Sequence, residues 1–305
     1  MVIDTDTASD DAVALVMALT HPDVEVLAIT VVMGNVSLEQ GLANAAYTRD
    51  LCGAQHVPIH AGAAQPLVRE HVSAQNVHGA DGMGDIGLPL APATAQEEPA
   101  AQALVRLAHE HPGELVLVAL GPLTNLAEAL RLDPSIATAY RRVVIMGGTG
   151  DHSGNITPAA EFNVYVDPEA ADEVFRSGMP IEMVGWDVSR NDAALSPSDV
   201  EHLSTLGERG AFCAGIQAQL MRFCHDVTQI EGIDLPDPVT TAIAIDPSIA
   251  TETVLTYVAV ETSGELTRGM TVVDRLGLLG RPPNATVVVR ADRSRFLQML
   301  HGACA

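Results

Sequence analysis

Lysine is absent from all 305 residues, so every one of the 16 basic residues is an arginine. That absence sets aside a Mg²⁺ phosphohydrolase of the haloacid dehalogenase type, which also begins with an Asp-x-Asp strand end but needs a downstream lysine in its site. Positive charge is scarce as a whole. The 16 basic residues face 39 acidic ones, for a net charge of −23, which argues against nucleic acid or an anionic membrane as partner. A strongly anionic substrate is not expected either. Aromatic residues are 3% of the chain, so Val, Leu, Ile and Ala must fill the core. Cys52, Cys213, Cys224 and Cys304 are scattered without CxxC spacing, which suggests neither a zinc site nor a disulfide framework and points to a reducing cytoplasm. No basic leader with an apolar stretch opens the sequence, and the apolar runs are too short for a transmembrane span. There is no GxxxxGK[ST], and no GxGxxG after a strand, to hold a nucleotide phosphate or a dinucleotide.

Apolar residues make up 47% of the chain, enough for a large core, and no linker divides it. A single domain over residues 1–305 is expected. Strand-like apolar runs fall at Met1–Thr5, Val24–Met33, Val57–Ala61, Leu115–Leu120, Val143–Met146 and Ile181–Trp186. Helical stretches lie between them: Asp10–Thr20, a stretch opened by the capping-box pattern Ser37-Leu38-Glu39-Gln40 and running to Leu51, then Ala100–His111, Leu123–Leu132 and Pro168–Arg176. Strand and helix alternate, and the strands are continuously apolar. Together these features predict an α/β fold, a Rossmann-like and mainly parallel sheet with helices on both faces. Residues 195–246 read as more helical, with stretches at Ser198–Leu206, Ala211–Phe223 and Pro236–Ile245; Val254–Val260 and Ala285–Val289 read as strands, and Ser294–Leu300 as a final helix. Residues 65–99 lack a period and carry Gly79, Gly82, Gly84 and Gly87, the pattern of a long mobile loop over an active site.

The densest chemistry stands at the start. Asp4, Asp6, Asp10 and Asp11 fall within eight residues and are flanked by apolar segments, so they have little freedom to face solvent. Asp10 and Asp11 sit in the first turn of a helix, where carboxylates complement the free N–H groups. Carboxylates this close raise one another's pKa unless a cation neutralises them, and an all-oxygen set suits Ca²⁺ or Mg²⁺. In open α/β sheets ligands bind beyond the carboxyl ends of the strands. The residues just past the strand-like runs are polar here: Asp4 and Asp6, Gly34-Asn35, Gly121-Pro122-Leu123-Thr124-Asn125, Gly147-Gly148 leading to Glu161-Phe162-Asn163, and Asp187. Any one of these could cap a helix or face solvent; their joint placement at one end of one sheet points to a site.

With those residues in place, the chain resembles the inosine-uridine preferring nucleoside hydrolase family over nearly all its length. The motifs that carry the resemblance are Asp4-Thr5-Asp6 with Asp10-Asp11, Gly34-Asn35, His78-Gly79-Ala80-Asp81-Gly82-Met83-Gly84, Gly121-Pro122-Leu123-Thr124-Asn125, Met146-Gly147-Gly148, Ala160-Glu161-Phe162-Asn163 with Asp167-Pro168-Glu169, and Asp237-Pro238. The resemblance implies a Ca²⁺ held by Asp6, Asp11 and Asp237 with the main-chain carbonyl of Leu120. It implies that Asp10, Asn35, Glu161 and Asn163 hold ribose hydroxyls, with Asn155 a further candidate. The reaction would be hydrolysis of the N-glycosidic bond of a ribonucleoside, and the protein a homodimer or homotetramer. Cleavage builds positive charge on the ribose, which a ring of carboxylates stabilises. Calcium acidifies water less than zinc does, so Asp6 is expected both to ligate the ion and to act as general base.

One position departs from the pattern. Well-known members carry a histidine just before the last metal-binding aspartate, as the acid for the leaving base; here it is Pro236. His225 and His78 are the candidate replacements. Trp186, a lone aromatic at a strand end, is expected in the core rather than against a base. The alternative to an enzyme is a catalytically weak ribose- or nucleoside-binding protein of the same fold, which the intact Asp6, Asp10, Asp11 and Asp237 set argues against.

Overall fold

The structure is a computed structural model and describes residues 1–151, 153–228 and 231–305. Strands β1 (Val2–Thr5), β2 (Ala28–Val31), β3 (Ile59–Ala61), β4 (Val116–Ala119), β5 (Arg142–Met146), β6 (Ile181–Val184), β7 (Ala250–Val260), β8 (Thr271–Asp274) and β9 (Ala285–Ala291) build one sheet in the order β3-β2-β1-β4-β5-β6-β9-β7-β8. β1 to β6 and β9 run parallel, while β7 and β8 pair antiparallel at one edge. The helices are α1 (Ser9–Thr20), α2 (Leu38–Leu51), α3 (Gln75–His78), α4 (Ala100–Glu110), α5 (Thr124–Leu132), α6 (Phe162–Val166), α7 (Pro168–Arg176), α8 (Trp186–Asp192), α9 (Pro197–Ser204), α10 (Gly207–Gly215), α11 (Ala218–Phe223), α12 (Pro236–Ile245) and α13 (Arg293–Cys304).

The strands read as continuous apolar runs because both faces of the sheet are covered. Ile3, Val118 and Leu120 enter a core shared with α1, α12 and α13; Val2, Leu117 and Ala119 enter a second core shared with α4, α5 and α7. Successive side chains thus go to opposite cores. Burying each such Val, Leu or Ile fully stabilises the fold by about 1.5–3 kcal/mol. β1 lies between β2 and β4, so the direction in which strands are added reverses there. The crevice beyond the carboxyl ends of β1 and β4 is the switch point where ligands of such sheets bind.

Several elements differ from the sequence reading. Only Ala28–Val31 of the Val24–Met33 run is a strand, and Trp186 begins α8 instead of ending β6. The stretch Ala211–Phe223 is broken into α10 and α11, with the buried Gln217 at the break donating from Nε2 to Ser9 O at 2.9 Å; a tertiary hydrogen bond overrides a good helical period. Ser37 does cap α2, accepting from Gln40 N–H at 3.3 Å. The box stays half closed, because the Gln40 amide turns to Asn44 Oδ1. β8 has no counterpart in the sequence pattern, being four residues long and paired only to β7. Residues 65–99 contain the short helix α3 and bury His78 and Met83.

Candidate active site

Four carboxylates meet where β1 hands over to α1. Thr7 turns the chain with φ 34°, a backbone conformation that a β-branched residue rarely adopts and that is found where a site dictates it. The Thr5 hydroxyl donates to Asp11 Oδ1 at 2.5 Å and Ala8 N–H donates to Asp11 Oδ2 at 2.9 Å, which fixes Asp11 in the first turn of the helix. α1 packs on α12, and Asp237, in the first turn of α12, reaches the same point. One oxygen from each of Asp10, Asp11 and Asp237 lies within 4.8 Å of the others, and Asp6 lies near enough to Asp11 for the two carboxylates to repel each other. Asp6 is in turn held by Asn35, whose backbone N–H donates to Oδ2 at 2.5 Å and whose amide donates to Oδ1 at 3.3 Å.

All four are buried. Burial comes first and mutual repulsion second in raising the Asp6 and Asp237 carboxyls well above their ordinary range and in pushing Asp10 up to about 8. Asp11 is raised as well, chiefly by burial. Asp10 Oδ1 has no hydrogen-bond partner among the described residues. A buried, oxygen-only cluster with an unsatisfied acceptor, and with no arginine paired to it among the described residues, is the chemistry of a hard divalent cation site. The family pattern assigns Asp10 to ribose only; the geometry also brings its carboxylate into the ligand cluster.

A cavity of about 360 Å³ opens onto this cluster, lined by Asp10, Asn35, Leu120, Asn155, Glu161, Asn163 and Asp237 among others. It is large enough for a nucleoside-sized ligand. Glu161 caps α6, accepting from Asn163 N–H and Gly148 N–H at 2.8 Å each, and burial pushes it up to about 7. Asn163 Nδ2 donates to Leu120 O at 2.7 Å, and both residues line the cavity. Asn155 stands at the exposed rim and anchors its own loop through N–H to Ala160 O at 3.1 Å. Behind the cluster, Asp4 accepts from Thr30 Oγ1 at 2.5 Å and Asn125 Nδ2 at 2.7 Å.

The two histidines part company. His78 is buried in the cavity wall, its Nδ1 at 2.8 Å from Ser9 Oγ and 3.8 Å from Asp10 Oδ1. Desolvation pulls it down to about 4, so the ring is neutral at physiological pH despite the nearby carboxylate. His225 does not line the cavity: its side chain is 87% exposed and its Nδ1 lies 2.7 Å from Asp226 Oδ1. Against the expectation that it replaces the missing acid, His225 stands outside the cavity that its neighbours Phe223, Cys224 and Val227 line. Trp186 packs against the first core, as expected, and is half-buried; it also lines the cavity, with Nε1 donating to Asp234 Oδ2 at 2.5 Å. Asp234 was missed altogether; an acid three residues before Asp237 has no signal in the sequence until Trp186 is seen opposite it.

The sequence model described as inosine-uridine preferring nucleoside hydrolase matches residues 1–298. Similar curated proteins include the pyrimidine-specific ribonucleoside hydrolases RihA of Salmonella enteritidis PT4 and of Salmonella typhimurium LT2, each 41% identical over 305 residues, 98% of this chain and 96% of theirs. Among solved structures, a plant nucleoside hydrolase, the PpNRh1 enzyme, superposes with a TM-score of 0.93 at 33% identity, and the purine-preferring ribonucleoside hydrolase from Gardnerella vaginalis with 0.91 at 31%. Both alignments cover 99% of this chain and 98% of the other.

Proposed function

Because the chain belongs to the inosine-uridine preferring nucleoside hydrolase family and is accordingly an N-glycosidase, we propose that it hydrolyses ribonucleosides to ribose and free base, with Ca²⁺ at the acid cluster and Asp6 as general base. The observation that carries this reading is the buried set of Asp6, Asp10, Asp11 and Asp237, of which Asp10 and Asp237 line a nucleoside-sized cavity and Asp10, Asp11 and Asp237 bring their oxygens together. Asp6, Asp11, Asp237 and the Leu120 carbonyl would hold the ion, with the unsatisfied Asp10 oxygen beside them. When bound, the ion supplies charge to neutralise the carboxylates, to lower the pKa of the attacking water and to fix vicinal hydroxyls.

The remaining steps belong to the chain's own residues. Asp10 and Asn35 accept and donate to the 2′ and 3′ hydroxyls, while Glu161 and Asn163 take the 5′ end, with Asn155 at the rim. Asp6, aimed by Asn35, accepts the proton of the water that attacks the anomeric carbon. The buried carboxylates stabilise the positive charge that develops on the ribose in the low-dielectric cavity. His78, neutral and oriented by Ser9, can donate a ring N–H to the departing base but does not carry an acidic proton at neutral pH. Pro236 at the histidine position favours one second reading, a nucleoside-binding protein with little turnover, and ribose release decides between the two. A cytoplasmic homodimer or homotetramer completes the proposal; among the described residues no helix is long and apolar enough to cross a membrane.

Prolonged chelation is expected to abolish ribose release from uridine and inosine, and added Ca²⁺ to restore it. In the same assay Asp6→Asn, which removes a ligand charge and the base together, should cost about 10²-fold or more in kcat. Full activity in metal-free protein, or an unimpaired Asp6→Asn variant, would refute the assignment.

A further inference from the structure

The cavity lining carries two kinds of residue. Asp10 and Asp237 stand there with Asn35, Glu161 and Asn163, and so do Val77, Ile156, Leu220, Phe223 and Val227 with Trp186 and Asp234. If the first set holds ribose, as proposed above and as this inference requires, the second is left for the nucleobase. It is apolar enough to take a flat ring, and Asp234, near enough to Asp10 to raise its carboxyl, is the one charged side chain of that second set.

Asp234 is held in place from both sides. Its segment is clamped by the bridge between Ile233 and Leu195, with Leu195 N–H donating to Ile233 O at 2.7 Å and Ile233 N–H donating back at 2.9 Å. Gly232, at φ +102°, lets that strand pair form, since a Cβ there would stand 2.2 Å from Leu195 O. The Trp186 indole N–H donates to Asp234 Oδ2 at 2.5 Å, and Ser189 Oγ reaches the same oxygen at 3.4 Å. The Arg190 guanidinium lies over the Trp186 ring, 4.5 Å from its centroid. Trp186 therefore has its only polar atom committed and one face covered, and it offers the cavity apolar surface alone. An ionised carboxylate is acceptor-only with about four lone-pair sites. Both side-chain donors meet Oδ2, so Oδ1 accepts from neither of them on a residue that lines the cavity.

We infer that Asp234, positioned by Trp186, is the base-recognition residue of this enzyme and selects nucleobases that turn an N–H edge toward it, such as the ring imide of uracil or the ring N–H of hypoxanthine. A site built to accept that hydrogen discriminates strongly against an analogue lacking it, because the half-buried carboxylate then loses one of its donors. Trp186 is the positioning residue, acting through Asp234 alone.

The test compares uridine with 3-methyluridine and inosine with 1-methylinosine, using p-nitrophenyl riboside as a substrate whose leaving group has no N–H. The wild type should favour each unmethylated nucleoside by about tenfold or more in kcat/KM, the worth of a hydrogen bond to a charged group. Asp234→Ala should lower the uridine value while raising that of 3-methyluridine, so that their ratio falls toward one, and should hurt uridine at least tenfold more than p-nitrophenyl riboside. Trp186→Phe keeps the ring and removes only the anchor, and its ratio should fall in the same direction, which a purely structural role would not produce. A wild type indifferent to methylation, or a ratio unchanged in Asp234→Ala, overturns the inference while leaving ribonucleoside hydrolysis standing. A wild type that cleaves no riboside at all, p-nitrophenyl riboside included, overturns the functional reading and this inference with it.

Discussion

Asp6 can be both aimed and buried only because its neighbour across the site has no side chain. A Cβ built on Gly34 would fall 1.9 Å from Asp6 Oδ2 and 2.7 Å from its carboxyl carbon, in the space through which Asn35 N–H reaches the carboxylate. Gly34→Ala is therefore expected to push the carboxylate off its line and to cost about 10²-fold in ribose release, the usual penalty for misplacing a reacting group by an ångström. Gly34 has no positive φ, so the fold should survive and far-UV circular dichroism should be unchanged. Activity near the wild-type level in Gly34→Ala would mean that Asp6 is not aimed through this contact. At this scale the sequence was legible where chemistry is contiguous. Asp6, Asp10 and Asp11 declare themselves because they crowd one turn, and Glu161 and Asn163 because they follow a strand end. Asp234 and Trp186 stay silent because they meet only across 48 residues of chain, and a histidine beside an acid, as at His225, looks alike in a site and on a surface.

At the scale of elements, the acid cluster ties the start of α1 to the start of α12, and the cost of that tie depends on pH. Burial pushes Asp10 up to about 8 and both Asp4 and Glu161 up to about 7, whereas in the unfolded chain such groups titrate near 4. Between those values the folded chain holds protons that the unfolded chain has released. Stability without metal is then greatest below about pH 4 as far as these groups are concerned, and falls as pH rises through 7 and 8. A cation competes with the same protons, so its stabilising effect should grow over that window. Thermal unfolding from pH 5 to 8 in chelator and in millimolar Ca²⁺ reads this directly: the two curves should diverge toward alkaline pH. Parallel curves would remove the cation from the cluster. The elements themselves were mostly legible, α7 and α12 to the residue, because period and capping are local. The split of α10 from α11 and the edge strand β8 were not, since a buried amide and a single partner strand decide them.

For the whole molecule, the antiparallel edge of the sheet leaves its apolar surface far from the site. Thr256 pairs with Ala285, the first residue of β9, so Leu255 lies at the end of the sheet opposite the carboxyl ends where the cavity opens. Leu255 is 67% exposed, and beyond the Tyr257–Asp274 pair at the same end come Leu276 and Leu278, 82% and 81% exposed. Under the proposed self-association, large leucines left in water on a chain of net charge −23 would be the place where it gains apolar burial without blocking the nucleoside cavity. In a twofold assembly each substitution counts twice. Leu276→Ser with Leu278→Ser thus removes four buried leucines at about 1.5–3 kcal/mol each, or about 10⁴-fold in Kd at the least. Serine leaves the net charge alone, so altered repulsion cannot account for the result. Sedimentation at micromolar concentration should find the wild type at twice or four times 32.0 kDa and the double variant at lower mass, with ribose release per chain retained. A wild type that sediments as a monomer, or a double variant whose mass is unchanged, would place the association surface elsewhere or remove it.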